Sequence, residues 1–523
     1  MMRSWFALAA LSLGFAFPWS RPAGAQDWTT IGNDAQRSSW IRSDPRISTS
    51  SVQTPEFQLL WRMQLDNQPR LQNALTPPVL LDFLISHRGF RSLAFVGGSD
   101  GNVFAMDTDL ARMEWERRFG VAAQYPEATP DCPGGMTASL TRRTNAALPA
   151  LGSFGSGRRS PGVSAVGEPK QGAALLSETR PPRTTEAPKP NPRQQTPQRR
   201  VLSGLSVVYA LTGDGSLRTM LVSNGYDHVP PIPFLPPNAN ARGLIVVDDV
   251  AYAATSSGCG GVAGGVWALD LETKKVASWK SGSGSVAGTA GPALAPDSTL
   301  YVATTDGRVV ALESKTLKQI AVHRASGVSF VSSPVVIDYN DKDYLAVAAK
   351  DGSLHLLDAA NLGGAPLSKT PGYSEALNVE PGALATWRDA ANVTWVLAPV
   401  GGSPGSGLSA NGTVTNSAIA AWKLAETNGR PAFSGGWLSR DLESPLPPII
   451  VNGVVFAASG GNLRSSTPAV LYAFDGANGR VLWDSGKTIT AAAPATGLAA
   501  GGSTVYLGAH DGSLYAFGFP IEH

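Results

Sequence analysis

The chain has 523 residues, including 57 glycines and 39 prolines, with 16% charged residues and a formal net charge of +2. That length suffices for one large core or two or three domains. So small a charge excess excludes nucleic-acid binding by bulk electrostatics, which needs a strong basic surplus.

In chain order, the first predicted element is an export signal over residues 1–25. Arg3 gives a thin positive start, "WFALAALSLGFAF" (5–17) an apolar stretch, and "PAGAQ" (22–26) small residues for cleavage after Ala25. The apolar run is shorter than the ~20 residues a helix needs to cross a bilayer. No cysteine follows the cleavage site, so no lipid anchor is expected, and no later stretch is apolar enough to span. The expected location is the periplasm or the exterior, with no transmembrane segment.

From there to the end one phrase recurs: a β-rich run, a tight turn, a second β-rich run, then a turn and often a tryptophan. Copies lie at 93–119, 206–223, 249–279, 299–323, 343–368, 393–433 (the loosest), 453–483 and 504–517. Where uninterrupted they repeat at a spacing of roughly 43–52 residues, the range of four-stranded propeller blades. "VYLGAH" and "SLYAF" alternate as strands packed between sheets must. Asp-Gly at 100–101, 214–215, 306–307, 351–352 and 511–512 predicts a two-residue hairpin turn with φ > 0. "TPPVLL" (76–81), "AGPALA" (290–295), "SSPVVI" (332–337) and "LPPIIV" (446–451) supply a preceding strand, its proline placed where no ladder donor is lost. Each unit therefore reads as strands A to D, and the fold class is an all-β propeller, most simply of eight blades, with seven as the alternative. The last copy stops after its third strand. "FQLLWRM" (57–63) carries a spare fourth strand with Trp61, so it is expected to pair with 512–519 and close the ring, leaving no long open edge.

Two stretches interrupt the pattern. Residues 151–200 are rich in Pro, Arg, Ser and Thr, nearly free of aromatics, and carry a local charge of about +6, a composition that predicts a disordered basic insertion. It reads either as a tolerated insertion or as a tether to an acidic surface. The glycine-rich stretch 400–416 reads as a long B–C loop of unit six. In propeller topology the B–C loops and D-to-A connections share a face. That puts Cys132, which follows strand D of unit one, on the same side as Cys259 in the B–C loop of unit three. A disulfide between them is expected, pinning the base of the insertion; free thiols or an intermolecular bridge are the alternatives.

The repeat resembles the quinoprotein-type, PQQ-like propeller family. "LYAFDGANGRVLW" (471–483) matches that family's A-x-D-x-x-x-G-x-x-x-W docking stretch at Ala473, Asp475, Gly479 and Trp483. "FAMDTDLARMEW" (104–115) keeps Ala105, Asp107 and Trp115 without the glycine, and "WALDLETKKVASW" (267–279) is one residue longer. "DWTTIGNDAQRSSW" (27–40) is similar to the family's lead-in before the first blade. Trp483-Asp484 alone does not make a WD40 repeat, whose paired Gly-His is missing.

The resemblance implies two functions. Alcohol-oxidising relatives hold PQQ on the propeller axis beneath a disulfide of adjacent cysteines, with Ca²⁺ on carboxylates and an amide. This sequence has no adjacent cysteines and no stretch that aligns with the metal ligands, so no catalytic or metal residue is assigned. Non-catalytic relatives are envelope proteins that dock extended segments of their partners. The leading expectation is a monomeric, exported scaffold that binds an envelope protein or glycan and no nucleic acid; a PQQ-dependent alcohol or sugar dehydrogenase is the alternative. No haem motif C-x-x-C-H, phosphate loop, H-E-x-x-H or G-x-S-x-G stands out. His510 and Lys350, each just before an Asp-Gly turn, read as solvated turn residues. Trp61, Trp115, Trp279 and Trp483 read as packing between blades. A non-reduced proteolytic digest analysed by mass spectrometry should contain one peptide pair linked through Cys132 and Cys259, and reduction should separate it.

Overall fold

The computed structural model describes residues 27–86, 89–119, 128–129, 131–147, 206–256, 258–372, 381–401, 407–494 and 497–520. They form eight sheets, one for each repeat. Blade one comprises Val79–Ser86, Gly89–Gly97, Asn102–Asp107 and Arg112–Arg118 as strands A to D. Blade three uses Ala241–Val247, Val250–Thr255, Gly265–Asp270 and Val276–Lys280, and blade four Ala293–Leu294, Leu300–Ala303, Arg308–Leu312 and Gln319–Arg324. Blade five uses Val335–Tyr339, Lys342–Ala348, Leu354–Asp358 and Ser368–Lys369, and blade six Ala385–Arg388, Thr394–Gly401, Ser417–Thr427 and Arg430–Leu438. Blade seven uses Ile449–Val451, Val454–Ser459, Val470–Asp475 and Val481–Asp484. Blade eight takes strands A to C from Leu498–Gly501, Thr504–Gly508 and Ser513–Gly518.

The missing fourth strand of blade eight comes from the N-terminal side, as expected. Gln58–Gln64 runs antiparallel to Ser513–Gly518, with Leu59 opposite Phe517 and Trp61 opposite Ala516. Phe57, Phe456, Tyr506, Tyr515 and Phe517 share one buried cluster, so the clasp is held by apolar packing as well as by its ladder.

Two blades depart from the pattern. Blade two has only Val207–Leu211, Ser216–Leu221 and Asp227–Pro233 as full strands, its inner strand reduced to one bridge between Thr141 and Tyr209. After that bridge the chain crosses to blade three, where Arg143–Thr144 pairs in parallel with Val246–Val247. The expected insertion 151–200 lies outside the described residues. Its flanks, Ala147 and Ser206, fall at the A–B end of blade two, whereas the D-to-A connection carrying Cys132 enters that blade at the opposite end. The disulfide therefore does not pin the insertion's base, a correction that follows from the direction of the inner strand. In blade six the long B–C loop adds a strand of its own, Leu408–Ala410, parallel to the outer strand.

The Asp-Gly turns also differ from the expectation. Gly101, Gly215, Gly307, Gly352 and Gly512 have φ of 79–82°, but the preceding aspartates are not left-handed. In each, the glycine N–H closes a four-residue turn, as from Gly307 to Thr304 (3.1 Å), and Thr304 N–H reaches across to Arg308 (2.9 Å). This is a type I turn followed by a left-handed bulge residue, which only glycine fills without strain. The aspartate is there for its carboxylate: Asp351 Oδ1 accepts from Ser353 N (3.0 Å) and Asp511 Oδ1 from Ser513 N (3.0 Å).

Tryptophans on the outer strands reach the next blade. Trp61 Nε1 donates to the Thr108 carbonyl of blade one (2.9 Å), Trp115 Nε1 to Val222 of blade two (2.8 Å), and Trp437 Nε1 to Gly476 of blade seven (2.8 Å). A Cβ on Gly479 would lie 2.3 Å from the Trp437 ring, and one on Gly225 2.5 Å from Trp115, so each indole lies on a bare backbone. Trp483 instead meets Phe57 (4.9 Å between centroids) and Phe517 (5.6 Å), because the clasp replaces the usual turn of blade eight. Trp279 packs into the cluster shared by blades three and four. Deleting residues 27–64 should turn the protein into insoluble aggregate, measured by sedimentation of the expressed chain, because it opens the ring along strand Ser513–Gly518.

Candidate functional site

A propeller's natural site is its axis, where the inner strands of all blades converge and their free edges face inward. At the A–B end this space is filled by the chain's own lead-in. Backbone donors of five blades reach it directly: Leu80 N to Trp28 O (2.8 Å), Leu294 N to Ala35 O (2.8 Å), Val336 N to Gln36 O (3.0 Å), Thr386 N to Ser38 O (2.9 Å) and Ile450 N to Ser39 O (2.9 Å). Blade two contributes Arg142 N to Thr29 O (2.7 Å); blade three accepts from Thr30 Oγ1 at Leu244 O (3.1 Å); blade eight sends Ser503 N to Asp44 Oδ2 (3.0 Å). Residues 28–44 thus touch the inner edge of seven blades and the A–B turn of the eighth. Trp40–Ile41 even extends blade seven as a parallel strand.

Arg37 is the centre of this plug. It is 2% exposed, and its guanidinium donates to Pro292 O (2.9 Å), Ile31 O (2.7 Å), Gly243 O (2.9 Å) and Thr30 Oγ1 (3.0 Å). Burial pulls its pKa down to about 9, opposed by the nearby Asp34, so it stays charged at neutral pH. Asp34 in turn accepts from Ser38 N (2.9 Å) and Ser38 Oγ (2.5 Å). Asn33, Arg37 and Ser39 are left-handed, with φ of 71°, 63° and 54°, a strained winding that the surrounding bonds hold in place. At the edge of the plug, Asp82 is pushed up to about 6, chiefly by burial and then by Asp27, which pairs with Arg142.

At the other end, the connections entering blades four, five and six touch. The Gly382 carbonyl accepts from Thr289 N (3.0 Å) and Ser333 N (2.9 Å). A Cβ on Gly288 would lie 1.9 Å from Ser333 N and 2.5 Å from Gly382 O. Three backbones are in contact there, with no gap for a planar ring system between them. Beside it, the disulfide joins Cys132 to Cys259 (Cα–Cα 5.4 Å), and Asp131 O accepts from Asn240 Nδ2 (2.8 Å).

The remaining sequence-derived candidates are placed as follows. Ala105 lies opposite Trp115 and Ala473 opposite Trp483 across the C–D ladders. Asp107 Oδ1 accepts from Leu110 N (2.9 Å) and Asp475 Oδ1 from Ala477 N (2.9 Å), each fixing its C–D turn. His510 Nε2 lies 2.5 Å from the Leu71 carbonyl and is engaged within the protein, while Lys350 is exposed. A depression of about 390 Å³ beside His510 is lined by residues 64–69 and Asp511. Its polar groups serve the protein: Gln64 Nε2 donates to Asp511 O (2.6 Å), and Arg62 pairs with Asp511 (3.1 Å). Among the described residues, no three or more His, Cys, Asp or Glu side chains are grouped to hold a metal ion.

No protein-family model and no curated protein matches this sequence. Solved structures do. The fold is that of the quinoprotein-type propeller. A quinohemoprotein alcohol dehydrogenase from Comamonas testosteroni is similar at 14% identity with a TM-score of 0.54, over 96% of this chain and 82% of that one. A europium-containing methanol dehydrogenase is similar at 11% identity with a TM-score of 0.53, over 96% and 99%. BamB from Moraxella catarrhalis is a looser likeness, 15% identical with a TM-score of 0.46 over 89% and 99%. At such identities the likeness establishes the fold alone. The residues here do not match the PQQ–Ca²⁺ set that the family resemblance implies. The one disulfide joins residues 127 apart rather than neighbours, and the described residues hold no group of three or more His, Cys, Asp or Glu side chains for a metal ion.

Sequence reading missed the plug. Its residues were legible only as a lead-in, and nothing local marks Arg37 as buried. Replacing Arg37 with Met should strip four acceptors of their donor and lower stability by about 3 kcal/mol or more in denaturant titration. Arg37→Lys should recover little, since one ammonium cannot span the fork.

Proposed function

We propose that this is an exported, non-catalytic propeller that acts as a binding scaffold in the bacterial envelope, with a protein or glycan as partner. The observation that carries this reading is the use of the axis: the chain's own residues 28–44 bond there to the inner edges of seven blades and to the A–B turn of the eighth. Enzymes place chemistry in enclosed clefts with convergent polar groups. Here the Arg37 guanidinium and the inner-strand groups that meet the plug bond within the protein, while Trp28 Nε1, Asn33 Oδ1 and Gln36 Oε1 are buried there without a hydrogen-bond partner among the described residues. Rim loops and outer blade edges remain, and unpaired strand edges suit an extended partner segment, which adds as a further strand. The Leu408–Ala410 strand of blade six is an intramolecular instance of that addition.

Export is supported by the Cys132–Cys259 disulfide, a bond that persists in oxidising compartments. Among the described residues no helix is long and apolar enough to cross a membrane. Residues 1–25 are read as the cleaved signal, and 151–200 as a basic insertion within the propeller. Ala105, Asp107, Trp115, Ala473, Asp475, Gly479 and Trp483 are assigned to docking one blade on the next, and the working form is a monomer.

A second reading, a PQQ-dependent alcohol or sugar dehydrogenase, is favoured by the likeness in fold to the alcohol and methanol dehydrogenases. The two separate cleanly in titration with PQQ plus Ca²⁺, followed by absorbance, and in assays of alcohols and aldoses with an artificial electron acceptor. The scaffold reading expects no saturable spectral change and no turnover. Saturable binding with turnover would replace it with the dehydrogenase.

A further inference from the structure

The seam between blades four and five is built differently from three others in the ring. Where Trp61, Trp115 and Trp437 send an indole N–H to a C–D turn of the next blade, blade four presents His323. Its Nδ1 lies 3.1 Å from the Gly364 carbonyl, in the C–D turn of blade five. A neutral imidazole with its proton on Nδ1 makes the same bond as an indole; unlike an indole, it can also take a proton.

A second imidazole faces the same seam. His355, in strand C of blade five, is 3% exposed, and neither ring nitrogen meets a hydrogen-bond partner among the described residues. It stands edge-on to Phe330 (5.3 Å, 89°). Leu357, two residues along the same strand face, belongs with Phe330 to the cluster shared by blades four and five. The charged or titratable groups acting on His355 are Lys369 on strand D, Asp351 in the B–C turn, and His323 across the seam. Lys369 and His323 oppose a proton there. Asp351 favours one but is already paired with Lys369 at 3.1 Å. For His323 burial opposes the proton, and the Gly364 carbonyl favours it. Blade five is also the least reinforced at its edge. Its outer strand has two residues, against four to nine in the other blades.

We propose that this joint is a pH-operated seam, closed while both histidines are neutral and locally opened when they are protonated. Burial holds His355 down to about 4 and His323 below its ordinary value, against about 6.5 for an exposed imidazole. The open state therefore takes protons first. The seam is fully held above about pH 7 and weakens as pH falls from about 6.5 toward 4. Because a blade seam is a contact between separate sheets, it can loosen without unfolding the ring.

The test is hydrogen–deuterium exchange on the full chain at pH 7.5 and 5.0, corrected for intrinsic exchange rates. Peptides over 319–324 and 354–369 are compared with controls over 454–459 and 504–508. The seam peptides should lose protection by at least tenfold relative to the controls at the lower pH. The variant His323→Gln/His355→Leu keeps a neutral donor and an apolar filler, and should lose that difference. Should it fail to fold, His323→Gln alone should reduce the difference. Equal protection of seam and control peptides at both pH values overturns the proposal. So does a parallel loss in all blades, or an unchanged difference in the variants.

Discussion

The ring depends on the bonding of residues 28–44 to the inner edges of seven blades and the A–B turn of the eighth. A propeller blade pairs its strands side by side, which leaves the innermost edge of each sheet with unpaired N–H and C=O groups pointing at the axis. Buried groups of that kind are costly unless partnered. The lead-in bonds to one such group after another, from Leu80 in blade one to Ile450 in blade seven, and holds the A–B turn of blade eight through Ser503. It then continues into Gln58–Gln64, which completes blade eight from outside. One run of chain therefore satisfies the ring at its centre and latches it at its rim.

That arrangement has a functional consequence. A single segment pressed against the inner edges of seven blades demands residues that turn sharply and offer backbone acceptors, which explains left-handed Asn33, Arg37 and Ser39 and the short loop they wind. It also spends the axis on structure. Arg37 donates to three carbonyls and a hydroxyl there, so those acceptors are engaged within the protein. Loops and edges whose lengths vary most between blades, such as the extra strand of blade six, lie outside the axis.

Seams between blades show how much variety one repeat tolerates. Indole N–H bonds serve three of them, two of these indoles lying on bare glycine backbone, aromatic clustering around Phe57 a fourth, and histidines a fifth. The indole and histidine solutions join a donor on one outer strand to the next blade's C–D turn, whereas Trp483 meets the Phe57 that stands in for that turn. Their chemistry differs in whether it responds to protons, and that difference is invisible to the backbone geometry they share.

Repeat spacing, alternating strands and Asp-Gly turns were enough to read an eight-bladed propeller and the pairing of 57–63 with 512–519, because periodic patterns report local structure directly. The cysteine pair was legible too, since strand order alone decides which loops share a face. Turn type was not: type I with a left-handed glycine and a two-residue hairpin share the same dipeptide, and only the aspartate's conformation separates them. Nor could any local pattern place Arg37 at the axis, seat the flanks of the long insertion opposite the disulfide, or bring His323 and His355 to one seam. Those positions depend on residues tens to hundreds apart in the chain, and burial is a property of the closed ring rather than of any one segment in it.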